Sequence, residues 1–190
     1  MVRPDHNKLV LGGVQVAPGT RATIDLPLSL LSDHTPSTLT AQVVRGRRPG
    51  PTLVVNGAVH GDEINGVEII RRMLRHSLIK NIAGTLIAVP IVNVYGYLTH
   101  TRYLPDRRDL NRSFPGSPAG SLASRLAHLY MSEIAIHASH GIDLHTGAIH
   151  RSNFPQVRGD LSNPDVRSMA INFGVPVVLN RHTVLGLRSR

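Results

Sequence analysis

The apolar positions of the chain change period partway along it. Short apolar stretches at Leu9 to Val16, Thr23 to Leu28 and Leu39 to Val44 are separated by Gly, Pro, Asp and Ser, which predicts strands joined by turns. TLVVN at 52 to 56 is a continuous run ending in an amide, the signature of a buried strand. From Glu63 to Arg75 the spacing becomes helical, with Ile64, Val67, Ile70 and Leu74 on one stripe. TLIAVPIVN at 85 to 93 predicts a second buried strand, and Ser121 to His137 a helix with Leu122, Leu126, Leu129 and Ile136 at helical spacing. GIDLHTG at 141 to 147 returns to strand, Asn163-Pro164-Asp165 opens a helix through Phe173, and VPVVL at 175 to 179 is a further strand. Strand and helix alternate, so the expected fold is α/β, a mixed and largely parallel sheet flanked by helices. The stretch RGRRPGP at 45 to 51 is expected to divide a small β-rich N-terminal element, residues 1–48, from an α/β domain, residues 49–190. Val94 to Gly120, rich in Pro, Arg, Asp and Gly, is too long for a simple connection and is a functional-loop candidate.

Composition narrows the chemistry. A chain of 190 residues suits one main domain. It has no cysteine, which removes disulfides, thiolate ligands and a cysteine nucleophile together, so a metal must be held by imidazole and carboxylate. No segment approaches the roughly 20 apolar residues of a spanning helix, so no membrane association is expected and the cytoplasm is the default location. The net charge of +9 and pI near 11.2 raise the question of nucleic acid. The basic residues are scattered in pairs (Arg47 and Arg48, Arg71 and Arg72, Arg107 and Arg108), and aromatic residues are only 4%, so neither a basic helix nor a stacking platform exists. A small anionic substrate accounts for the charge instead.

Candidate chemistry gathers where predicted strands end. In VNGAVHGDEINGVEII, His60 leaves the strand in a glycine-flanked turn and Glu63 opens the helix, bringing an imidazole and a carboxylate to one point. Gly57 and Gly61 are expected to permit the sharp exit. In Asp143-Leu-His145-Thr-Gly147, strand periodicity puts Asp143 and His145 on one face and Leu144 in the core. His145 would complete two nitrogens and one carboxylate, with a coordination position left for water. The loop segment from Arg102 to Gly116 adds Asp109, Asn111 and Arg112. Arg112 can grip a carboxylate with two parallel hydrogen bonds, Asn111 can donate to the same group, and Asp109 can accept from a ligand imidazole. The competing structural role is an Asp109–Arg112 pair bracing the loop. His76, His128, His137, His140 and His150 read as surface or packing residues.

Together, His60-Gly-Asp-Glu63, Asp109-Leu-Asn-Arg112-Ser-Phe-Pro-Gly116 and Asp143-Leu-His145-Thr-Gly147 resemble the succinylglutamate desuccinylase/aspartoacylase family, relatives of the zinc carboxypeptidases, over about Thr52 to Leu179. The resemblance implies a carboxypeptidase-like fold and one zinc per chain on His60, Glu63 and His145. It implies hydrolysis of the amide of a small anionic N-acyl amino acid, or of a related ester, by a chain that is compatible with a homo-oligomer. It also implies that Asn111 and Arg112 bind a substrate carboxylate, that Asp109 orients His60 with Asp143 as a further supporting acid, and that Arg102 binds substrate or polarises the scissile carbonyl. One departure accompanies the match. Family members place a general-base glutamate C-terminal to the last ligand, whereas the three glutamates here are Glu63, Glu68 and Glu133. The sequence-based expectation is therefore a domain incomplete at its C-terminus, inactive or weakly active alone, and the alternative reading is a noncatalytic zinc-binding fragment.

Overall fold

The computed structural model describes residues 8–148 and 151–181. His150 lies outside the described residues. The described residues fall into two compact units, which divide between residues 149 and 150.

The first unit is built on a five-stranded sheet. A small hairpin of β1 (Leu9–Leu11) and β2 (Val14–Val16) precedes it. Strands β3 (Arg21–Leu30), β4 (Pro36–Arg45), β5 (Arg48–Gly57), β6 (Ala83–Val89) and β7 (His140–Leu144) then lie in the order β3-β4-β6-β5-β7. The β3–β4 and β4–β6 pairings are antiparallel, while β5 pairs parallel with both β6 and β7. The sheet is thus mixed, and its parallel part is the part that carries the site. As a central strand, β5 is covered on both faces, which explains why TLVVN reads as a continuous apolar run. Val54 faces a cluster that includes Leu39, Val43, Ile87 and Leu126, whereas Val55 faces Val44, Leu86 and Ile70.

Helix α1 (Asn65–Arg75) covers the second of these faces through Ile70. It begins later than the periodicity predicts: Ile64 is its N-cap and is 47% exposed, while Gly66 is buried beneath it. Helix α2 (Val94–Leu98) is capped by Asn93, whose side chain accepts from the Gly96 amide. Helix α3 (Leu122–Glu133) starts at the Ser121 cap and packs Ala123, Leu126 and Ala127 against the first cluster. It ends before Ile136, which is 72% exposed; of the predicted positions Leu126 is fully buried and Leu122 and Leu129 pack against the same cluster, beside Ala123, Ala127 and Tyr130. The long segment between α2 and α3 is fixed by buried Leu104 and Leu110, and by Asp106, which accepts from the Ala123 amide at 3.1 Å.

The second unit consists of β8 (Gln156–Gly159), α4 (Pro164–Asn172) and β9 (Val177–Asn180), with the two strands parallel. Asn163 caps α4 by accepting from the Asp165 and Val166 amides, as the Asn-Pro-Asp sequence predicts.

Candidate metal centre

Two strand ends and one loop build the centre. His60 and Glu63 lie in the turn between β5 and α1, and His145 follows the last residue of the neighbouring parallel strand β7. Both come from the carboxyl ends of their strands, where an open α/β sheet presents its loops. The turn is tightened by the Glu63 amide donating to the His60 carbonyl at 3.1 Å, and it is tied to the loop after β6 by the Asn93 amide donating to the Ala58 carbonyl at 2.9 Å. The left-handed residue of this exit is Ala58, with φ of 46°, not Gly57 or Gly61. Gly61 serves instead as a point of close approach: a Cβ there would lie 1.9 Å from the Gly96 carbonyl carbon of α2.

Ligand atoms of His60, Glu63 and His145 lie within 4.8 Å of one another. His60 Nδ1 is 2.8 Å from Glu63 Oε1, and His145 Nδ1 is 2.8 Å from Glu63 Oε2. The outward nitrogens are held as well: His60 Nε2 is 3.1 Å from Asp109 Oδ1, and His145 Nε2 is 2.6 Å from Asp143 Oδ2. Each imidazole therefore turns Nδ1 inward and Nε2 toward a carboxylate. A carboxylate on one nitrogen keeps its proton there and leaves the other nitrogen a lone pair, the arrangement found behind histidine ligands of metals. Two nitrogens and one carboxylate, without thiolate, fit a divalent cation such as zinc.

Electrostatics favour the same reading. Glu63 is 3% exposed, and although burial pushes its carboxyl up, hydrogen bonds from His145, His60 and the Thr146 amide hold it below the ordinary range. Burial opposes charge on His145, yet Asp143 and Glu63 outweigh it and raise the imidazole to about 10. Asp109 is lowered despite burial by the charge of His60, by Arg102 and by the Asn111 amide. Three carboxylates thus surround two imidazoles, with Arg102 as the one guanidinium among these contacts.

Arg102 donates to Asp109 Oδ2 at 2.9 and 3.2 Å, and its Nη1 lies 3.4 Å from Glu63 Oε1. Asp109 is therefore committed to His60, Arg102 and the Asn111 amide, and it does not brace Arg112. Asn111 and Arg112 belong to the short 3-10 turn Leu110–Arg112 just beyond it. Among the described residues, neither of their side chains has a hydrogen-bond partner. The other glutamates are occupied elsewhere: Glu68 pairs with Arg71 and Arg72 on an exposed helix face, and Glu133 accepts from the Gly12 amide. Asn56, Asn93 and Tyr130 are contributors that the sequence reading passes over. Asn93 donates to the Arg102 carbonyl at 3.3 Å, and Asn56 holds Asp143. Their one sequence signal is an amide closing an apolar strand run; Tyr130 is indistinguishable from a core aromatic.

A family model, the succinylglutamate desuccinylase/aspartoacylase catalytic domain, matches residues 49–184. N-alpha-acetyl-L-2,4-diaminobutyric acid deacetylase of Halomonas elongata is 32% identical over 102 residues, which are 53% of this chain and 30% of that protein. The crystal structure of a succinylglutamate desuccinylase/aspartoacylase from Rhodobacter sphaeroides superimposes with a TM-score of 0.75 at 31% identity, covering 84% of this chain and 52% of that one. A metallo-carboxypeptidase from Burkholderia cenocepacia shares the fold at 16% identity, with a TM-score of 0.57 over 76% of this chain and 40% of that one. The chain thus spans about half, or less, of the length of these relatives.

Proposed function

The chain belongs to the succinylglutamate desuccinylase/aspartoacylase family, and from that premise we propose that it carries the zinc centre of a deacylase acting on the amide of a small N-acyl amino acid. The observation that carries the reading is the inward convergence of two Nδ1 atoms on Glu63, each imidazole backed by its own carboxylate.

In this reading His60, Glu63 and His145 hold the cation, which supplies Lewis acidity toward an acyl carbonyl and toward water. The remaining work falls to the chain's own groups. Asp109 and Asp143 keep the ring protons on the outward nitrogens, so that both lone pairs face inward. Arg102 is held by Asp109 beside Glu63, so its guanidinium can donate to the oxygen of the scissile carbonyl as charge develops there. Asn111 and Arg112 recognise the substrate carboxylate, Arg112 with two parallel N–H donors. Their lack of partners among the described residues supports that role. The diaminobutyrate deacetylase suggests N-acetylated amino acids as the first substrates to try.

The test is a deacylation assay on a panel of N-acetyl and N-succinyl amino acids, with and without a chelator. Weak turnover that disappears on chelation and returns with zinc is the expected result, since no glutamate follows His145; turnover indifferent to chelator contradicts the proposal. Arg112→Lys keeps the charge and loses the fork, so it should raise KM on the order of tenfold, the worth of one charge-assisted hydrogen bond. An unchanged KM would place carboxylate recognition elsewhere.

A further inference from the structure

Asn56 is a polar side chain, 5% exposed, inside a sheet strand that is otherwise apolar at this end. Such a group costs stability unless its amide is fully used. Its register explains where the amide goes. In the parallel β5–β7 pair Asn56 lies opposite Asp143, so both side chains project from the same face, the one covered by α3. Asn56 Nδ2 donates to Asp143 Oδ1 at 2.5 Å, and Asn56 Oδ1 accepts from the Tyr130 hydroxyl at 2.8 Å. The second oxygen of Asp143 is the one on His145 Nε2.

Each link constrains the next. A carboxylate with one oxygen fixed by an amide donor cannot rotate freely about its bond to Cβ, so its other oxygen stays directed at His145 Nε2. The amide must present nitrogen, not oxygen, to a carboxylate, and the Tyr130 hydroxyl then satisfies the oxygen left over. Tyr130 is itself braced, since its ring meets that of Phe114 edge-on at 5.7 Å. Phe114 comes from the same segment as Asn111 and Arg112.

We propose that Tyr130 and Asn56 are positioning residues for the metal centre, acting through Asp143 to fix the direction of His145 Nδ1. This rests on the reading of His60, Glu63 and His145 as metal ligands. The two limbs of the centre then differ in kind: the carboxylate behind His60 is tied to a guanidinium, and the one behind His145 to a neutral amide–phenol pair.

The experiment measures zinc affinity by competition with a chromophoric chelator, and the visible spectrum of the cobalt-substituted protein, for wild type, Tyr130→Phe, Asn56→Leu and His145→Ala. Thermal midpoints in excess chelator report the fold separately. Tyr130→Phe keeps the ring against Phe114 but leaves Asn56 Oδ1 without its donor, so its midpoint in chelator should fall only modestly, as for one lost buried hydrogen bond, while zinc binds about tenfold more weakly and the cobalt spectrum changes. Asn56→Leu should lose up to about 100-fold, the upper range for removing a partner of a ligand. If Asn56→Leu does not fold, Tyr130→Phe decides. Affinities of both variants within about twofold of wild type, with His145→Ala defective, would overturn the positioning role and leave the metal centre standing. Wild-type affinity in His145→Ala would overturn the centre and the inference with it. A fall in the chelated midpoint of Tyr130→Phe large enough to account for its weaker binding would assign Tyr130 to packing and overturn its part.

Discussion

At the scale of single residues, the centre depends on acids that touch no metal in the proposed arrangement. Asp109 is the most heavily used, accepting from His60, Arg102 and the Asn111 amide. Asp109→Asn preserves its shape but replaces one acceptor oxygen with a donor, which must face either the proton of His60 or the guanidinium of Arg102. Zinc affinity should fall about 10- to 100-fold and kcat/KM should fall with it, and titration against a competing chelator reads the first. His145 makes a prediction about pH. Asp143 and Glu63 raise its pKa to about 10, so a proton holds the nitrogen that the cation needs at every lower pH. Metal uptake must displace that proton, so apparent zinc affinity should rise by at least about tenfold per pH unit up to about pH 10. An affinity flat between about pH 6 and pH 9 would contradict a proton on His145 that the cation must displace.

At the scale of elements, the site is set by the turn from β5 into α1 and by the packing of that turn on α2. Gly61 has no room for a side chain against the Gly96 backbone. Gly61→Ala should therefore destabilise the protein by on the order of 3 kcal/mol, because the obstacle is main chain that cannot rotate away, and it should lower zinc affinity in the variant that still folds. Thermal unfolding in chelator and in zinc separates the two effects. This turn also shows how much a sequence can convey. The strand, the exit and the helix are legible from TLVVN, the glycines and the spacing of Val67, Ile70 and Leu74, since hydrophobic period reports which face is buried. The close placement of His60, Glu63 and His145 follows once β5 and β7 are neighbours. What period cannot report is a polar contact across strands or onto another helix: Asn56 with Tyr130, and Arg102 with Asp109, depend on register and on the path of an irregular loop. Helix α2 is similarly hidden, because five residues are too few to express a period.

At the scale of the whole molecule, the first unit of the chain contains every residue assigned to the centre. Metal binding should then stabilise that unit by mass action, about 2.7 kcal/mol when free zinc is 100 times Kd. The relatives compared above are longer than this chain, so reaction class and substrate choice alike are matters for assay. No helix among the described residues is long and apolar enough to cross a membrane. Each expected effect on zinc rests on His60, Glu63 and His145 together holding one divalent metal. Elemental analysis of the wild-type protein and of the double variant His60→Ala, His145→Ala, purified in parallel and dialysed against the same zinc solution, tests it most directly. About one zinc per chain is expected in the wild type and almost none in the variant, with both proteins folded by circular dichroism. Equal zinc in the two would contradict it.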